Sequence, residues 1–279
     1  MVKIKAGDSV LFFYDYSKKW LMKVSKKEQF HSHIGVIEHS DAIGKQFGSR
    51  LVTNKDKYVY LLPPTINDYV MKMQHGTQIV YPKDLGYIVA RTGLQSGQKV
   101  VEIGTGSGSL TTFLASIVNP KGHVYTFDIE PKFMEIAKKN IEKAGMTKFV
   151  TMKKLDIKTA KRNPVTNADL VVIDLGDPWT VMPQVRKMLK GGGVVMAICP
   201  TMNQLEKLSA SFIKNEFSDI ESTEHILRHI DAREGKTRHS FRGIGHTTYL
   251  AFARKVFFNK VTKRQTKRKD TPIKNKVMY

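Results

Sequence analysis

The segment VEIGTGSGSL, residues 101–110, constrains the fold more than any other feature of the chain. Gly104, Gly106 and Gly108 stand at alternate positions, directly after an apolar run that ends Val100-Val101-Glu102-Ile103. A dinucleotide fingerprint reads G-x-G-x-x-G; this segment reads G-x-G-x-G. Glycine lets the backbone approach a ligand closely, and a helix that opens behind the loop presents free N–H groups. A strand that runs into such a loop and then into a helix starts an open α/β sheet.

The rest of the chain extends that pattern. From about residue 78, strand-like and helix-like runs alternate, which implies a parallel sheet. Strands are expected at 99–103, 123–128, 149–153, 169–174 and 193–199, with two more at 218–227 and 246–254. Helices are expected at 81–92, 109–118, 131–144, 180–189 and 202–215. Residues 1–63 read as short apolar or alternating runs broken by Gly, Asn and Asp, the pattern of a compact barrel. The expected domains are a small β-rich N-terminal domain over 1–64, a connector over 65–80, an α/β domain over 81–256 and a basic tail over 257–279.

Charge narrows the partners. The chain has 46 Lys+Arg against 25 Asp+Glu, a net charge of +21, which suits a polyanion because each neutralised phosphate releases a counterion. From residue 254 onward, ten basic residues face the single acid Asp270. A hydrophobic content of 41% supports a core. No apolar run approaches the roughly 20 residues of a membrane span, and MVKIKAGDSV lacks the apolar stretch of a signal peptide. Cys199 is the only cysteine, so no disulfide closes within the chain. The expectation is a soluble cytoplasmic protein with no membrane association, or a nuclear one if the source is eukaryotic. The histidines have no convincing metal spacing, and no metal is expected.

Spacing around the glycine loop suggests the ligand. Asp128 ends the second strand, about twenty residues beyond the loop, where a carboxylate accepts from ribose hydroxyls. Asp156 follows the third strand, placed to accept from an adenine amino group. Together they describe an adenosine site with no evident pyrophosphate cradle, which fits S-adenosylmethionine better than NAD. Asp174 ends the fourth strand in VIDLGDPW, at the edge that borders the ligand crevice of open sheets. The Asn/Asp-Pro-Pro-aromatic motif of amino-methylating enzymes is absent, because Leu175-Gly176 follow Asp174.

Four blocks, VEIGTGSGSL, QIVYPKD (78–84), VIDLGDPW (172–179) and GHTTYL (245–250), closely resemble the tRNA adenine-N1 methyltransferases, and the resemblance covers nearly the whole chain. It implies a class I S-adenosylmethionine-dependent methyltransferase fold, a Rossmann-like sheet with a small β-rich N-terminal domain. It implies methylation of N1 of adenine 58 in the T-loop of tRNA, with adenine 57 as well in archaeal members. Gly104, Gly106, Ser107, Gly108, Ser109 and Leu110 would wrap the methionine part of the donor, with Asp128 on the ribose and Asp156 and Ile157 on the adenine ring. Asp174 would be the catalytic carboxylate, and Tyr81 would line the pocket near the target base. A tyrosine after strand five of some bacterial members is matched here by Ile198. The resemblance also implies a homotetramer, or a heteromer with a paralogous subunit in eukaryotes.

Residues 225–246 carry Arg228, Arg233, Lys236, Arg238 and Arg242 between the last two strands. They are expected to form a loop near the site mouth, with Arg233, Lys236, Arg238 and Arg242 on RNA phosphates. Alternative readings are a non-catalytic tRNA-binding subunit, a related protein carboxyl methyltransferase and a nicotinamide oxidoreductase. The intact glycine loop with Asp128 and Asp174 argues against the first, the QIVYPKD block and the charge against the second, and the glycine spacing against the third.

Overall fold

The structure is a computed structural model that describes residues 2–76, 78–240 and 245–257. Its N-terminal part contains β1 (Ser9–Phe13), β2 (Lys19–Lys23), β3 (Gln29–Ser32), β4 (Gly35–Glu38), the single-turn α1 (His39–Ala42), β5 (Arg50–Val52) and β6 (Tyr58–Leu62). Four of these strands form an antiparallel sheet in the order β2-β1-β6-β5, while among the described residues β3 and β4 pair only with each other. The expected barrel is therefore an open sheet plus a hairpin. β5 is only three residues long and no ladder joins it to β2, so among the described residues the sheet keeps two edges. Phe12, Val59, Leu61 and Phe30 fill the small core beneath it.

α2 (Ile66–Lys72) connects the two sheets. Thr65 and Asp68 close a capping box at its start, which satisfies backbone donors that a helix N-terminus leaves open. α3 (Pro82–Thr92) follows, with proline in its first turn. The chain then alternates: β7 (Lys99–Ile103), α4 (Ser109–Val118), β8 (His123–Asp128), α5 (Pro131–Lys143), β9 (Val150–Lys154), β10 (Ala168–Ile173), α6 (Met182–Met188), β11 (Leu189–Cys199), α7 (Met202–Lys214) and β12 (Phe217–Glu224). A two-residue pair, β13 (Ile230–Asp231) and β14 (Arg238–His239), precedes the last strand, β15 (Tyr249–Lys255).

The seven-stranded sheet runs β12-β15-β11-β10-β7-β8-β9. β7 to β11 pair in parallel, and β15 lies antiparallel between β11 and β12. Each central strand feeds two cores, as expected for a sheet covered on both faces. Val101, Ile103, Val171 and Ile173 pack in one cluster, and Val100, Leu170 and Val172 in the other. From β7 the chain moves outward through β8 to β9, then crosses back to β10 on the other side of β7. That reversal opens a crevice at the C-terminal ends of β7 and β10.

Candidate active site

The glycine loop closes over the crevice by touching β10. Gly104 has φ +98°, and a Cβ there would lie 2.1 Å from the Asp174 carbonyl oxygen, so only glycine lets the two strand ends meet. Behind the loop, Gly108 (φ +76°) packs against α5, where a Cβ would lie 2.9 Å from that of Ala137. Asn140 of α5 ties this layer to the connector: its amide donates to the carbonyls of Gln74 and Ser107, both at 2.8 Å, and its carbonyl accepts from the Gln74 N–H.

A cleft of about 420 Å³ opens above the loop. Of the expected site residues, Gly104, Gly106, Asp128, Asp156, Ile157 and Asp174 line it together. Ser107, Ser109 and Leu110 are instead buried behind the loop with Gly108, where Ser107 Oγ accepts from the Gly76 N–H at 2.8 Å. Residues that sequence reasoning missed also face the cleft, among them Gln78, Glu130, Phe133 and Lys158. Gln78 was within reach, since it opens the QIVYPKD block. The others follow strand ends that bear the expected acids.

The cleft carries Asp128, Glu130, Asp156 and Asp174 against Lys158, the one cation among its described lining residues, which is itself ion-paired with Asp177 at 2.7 Å. The Gly106 N–H already donates to Asp128 Oδ2 at 2.9 Å, and the second Asp128 oxygen accepts from the Glu130 N–H. A pyrophosphate would meet repulsion from the acids and find this loop donor occupied. A cationic ligand with a nucleoside end fits the same groups. Asp174 has an open side toward the cleft and protein around the rest of it. That enclosure, with the nearby Asp128 charge, pushes its carboxyl up to about 6. Glu102, on β7 under the loop, is fully buried, and burial pushes it up to about 8 despite hydrogen bonds from Thr111 and Thr126. It is therefore protonated at neutral pH and adds no charge to the cleft floor.

The QIVYPKD and GHTTYL blocks meet each other, and the first reaches the cleft through Gln78. Lys83 Nζ donates to both oxygens of the buried Asp84 at 2.9 Å and to Thr247 Oγ1 at 2.7 Å, and Thr247 Oγ1 donates back to Asp84 Oδ2. His225 Nδ1 lies 3.3 Å from Asp84 Oδ1. This cluster fixes the start of α3, where Tyr81 is the N-cap residue. Tyr81 is half-buried and, contrary to expectation, is not among the residues that line the cleft; its hydroxyl lies 3.5 Å from the amide nitrogen of Gln78, which does line it.

Arg233, Lys236 and Arg238 are exposed at the β13–β14 hairpin, so the expected loop contains a short ladder. Arg233 and Arg238 line a groove with Tyr16 of the N-terminal sheet region. Arg242 lies outside the described residues, as does the basic tail from residue 258. Among the described residues there is no cluster of metal-ligating side chains and no helix long and apolar enough to cross a membrane. Ile198 is buried in β11.

Residues 57–244 match the model of a family described as the tRNA methyltransferase complex GCD14 subunit. The chain belongs to this family. Among similar proteins, the tRNA (adenine(57)-N(1)/adenine(58)-N(1))-methyltransferase TrmI of Methanocaldococcus jannaschii is 33% identical over 261 residues, covering 85% of this chain and 91% of that protein. A tRNA (adenine(58)-N(1))-methyltransferase catalytic subunit of Dictyostelium discoideum is 26% identical over 235 residues, covering 82% of this chain and 75% of its own. Among solved structures, tRNA (m1A58) methyltransferase TrmI from Aquifex aeolicus superposes with a TM-score of 0.79 at 30% identity, over 92% of this chain and all of that one. A SAM-dependent O-methyltransferase from Thermotoga maritima reaches 0.86 at 30% identity, over 93% and 97% of the two chains. The family fold is thus the S-adenosylmethionine-dependent methyltransferase sheet with a small antiparallel N-terminal sheet.

Proposed function

We propose that this chain transfers a methyl group from S-adenosylmethionine to N1 of adenine 58 in the T-loop of tRNA. Adenine 57 is a second candidate, because the Methanocaldococcus relative bears both positions in its name. The observation that carries the reading is an acid-lined cleft in a protein of net charge +21, with Asp174 at the strand crossover. The cleft suits a cationic donor, while the overall charge suits a polyanionic acceptor. The likeness to the Dictyostelium protein, a catalytic subunit, favours the active-chain reading over a non-catalytic tRNA-binding subunit.

In this reading Asp128 holds the ribose of the donor and Asp156 its adenine ring, the turn at Gly104 and Gly106 wraps its methionine part, and Asp174 lies toward its cationic end. The bound donor supplies an electrophilic methyl carbon on a sulfonium. Adenine N1 carries its own lone pair, so no protein group needs to remove a proton before attack. Alkylation leaves a positive charge on the adenine. Asp174, ionised above about pH 6, stabilises that charge or takes a proton from N6. N1 is hidden in stacked or paired RNA, so the base must be splayed out, and Tyr81, whose hydroxyl meets Gln78 of the cleft wall, would supply a ring for it to stack on. Arg233, Lys236 and Arg238 grip phosphates without reading sequence. Assembly as a homotetramer, or as a heteromer with a paralogous subunit, follows from the resemblance, and light scattering reads the mass.

The test is to incubate unmodified tRNA transcript with methyl donor and map reverse-transcription stops. A new stop at adenine 58, absent when that base is replaced, is expected. No stop, or a stop elsewhere only, contradicts the proposal.

A further inference from the structure

The N-terminal sheet has a face that none of the chemistry above uses. Tyr58 and Tyr60 are two residues apart on β6 and so point to the same side. The register places Val52 opposite Tyr58 and Arg50 opposite Tyr60 on β5. Tyr58, Tyr60 and Val52 are 50%, 43% and 54% exposed, whereas Leu51, Val59 and Leu61 on the other face are buried in the core. The Arg50 guanidinium lies 4.5 Å from the centre of the Tyr58 ring. Toward β2 the same face is covered: Leu11 and Leu21 are buried, α2 packs on β2, and Lys19 of β2 pairs with Asp68 of α2 at 2.9 Å. The open end is the part that carries the tyrosines.

A lone exposed aromatic needs no explanation. Two on one strand face, one of them stacked by an arginine, make a patch. Its surroundings give it a sign. Between residues 50 and 60 the charges are Arg50, Lys55 and Lys57 against Asp56 alone, and none of the three cations takes part in a salt bridge among the described residues. Exposed ring faces for bases, with cations beside them for phosphates, are the physical make-up of a single-strand binding surface.

We propose that this β5–β6 face is a stacking platform for unpaired nucleotides of the RNA substrate, outside the reacting cleft. It rests on the reading of the substrate as tRNA. Extruding a base from structured RNA unstacks its neighbours. A second aromatic surface on the same chain gives unpaired bases somewhere to stack, which lowers the cost of the opened RNA.

The test uses the full chain and a fluorescently labelled unmodified tRNA transcript, with binding read by anisotropy. The Tyr58→Ala/Tyr60→Ala double variant is expected to raise the tRNA Kd about tenfold or more, from the loss of two base stacks. The Phe double variant, which keeps both rings, is expected to stay within about twofold of wild type. Donor affinity by calorimetry and particle mass by light scattering are expected to be unchanged, which excludes misfolding. An unaltered Kd in the Ala variant overturns the proposal. So does an equal loss in the Phe variant, which would assign the hydroxyls rather than the rings. A lower mass in the Ala variant also overturns it, since the face would then join copies of the chain. Binding is read without turnover, so a wild-type protein that bound tRNA through these tyrosines but left adenine 58 unmethylated would sink the methyltransferase reading and leave the platform standing.

Discussion

Asp174 combines a chemical role with a cost in stability. Its folded pKa of about 6 lies above the ordinary 3.8, so between these values the native state binds more protons than the unfolded chain. Stability therefore falls as pH rises through that window, and the full penalty is present above about 6. Asp174→Asn is expected to stabilise the protein at pH 8 by up to about 1 kcal/mol, allowing for solvent on the open side of the carboxyl, and to bring no gain near pH 4. Paired thermal melts at the two pH values check this; a loss of stability at pH 8 contradicts it. Donor affinity is expected to fall as pH drops through about 6, because protonation removes the charge that faces the cation. At this scale much was legible in sequence: Asp128, Asp156 and Asp174 each stand at a strand end in register with the glycine loop. Asn140 and Asp84 were not. Their partners are far along the chain, Gln74 and Ser107 for the one and Thr247 for the other, and no local pattern encodes such pairs.

The elements that position the site are held by close backbone contact. A side chain at Gly104 would need both a left-handed φ and room that the Asp174 carbonyl occupies. Gly104→Ala is expected to cost about 3 kcal/mol or more, the sum of positive-φ strain and an overpacked contact, and to abolish measurable donor binding. Denaturant unfolding and calorimetry read the two effects, and a stable variant that still bound donor would contradict this placement of the loop. Element existence was plain from periodicity. β7, α4 and β8 lie where the sequence puts them, because a buried apolar strand, three glycines and a helix leave little choice. The N-terminal barrel was misread because strand pattern alone does not say whether a sheet closes. The β13–β14 ladder escaped notice because strands of two exposed residues are too short to carry a periodicity.

Across the whole molecule, charge is sorted by ligand. Four acids line the cleft against Lys158, whereas in the hairpin Arg233, Lys236 and Arg238 outnumber Asp231 and Glu234. Raising salt from 50 to 200 mM is expected to cut kcat/KM for tRNA by about tenfold or more, through competition for phosphate contacts. Donor affinity is expected to move by less than about twofold, because the cleft interactions are short-range and partly shielded. Arg233→Glu/Lys236→Glu/Arg238→Glu is expected to flatten the salt dependence; a triple variant with the wild-type slope would remove the hairpin from the RNA interface. Composition reported the excess of positive charge, but its separation from the acidic cleft became visible only once β7, β8 and β10 were brought side by side. The most direct measurement is single-turnover methyl transfer to unmodified tRNA at pH 8, with donor and tRNA saturating, for wild type and Asp174→Asn. A loss of at least about a hundredfold, with tRNA affinity retained, is the expected result; a near-normal rate in the variant would show that Asp174 does not do the chemistry assigned to it.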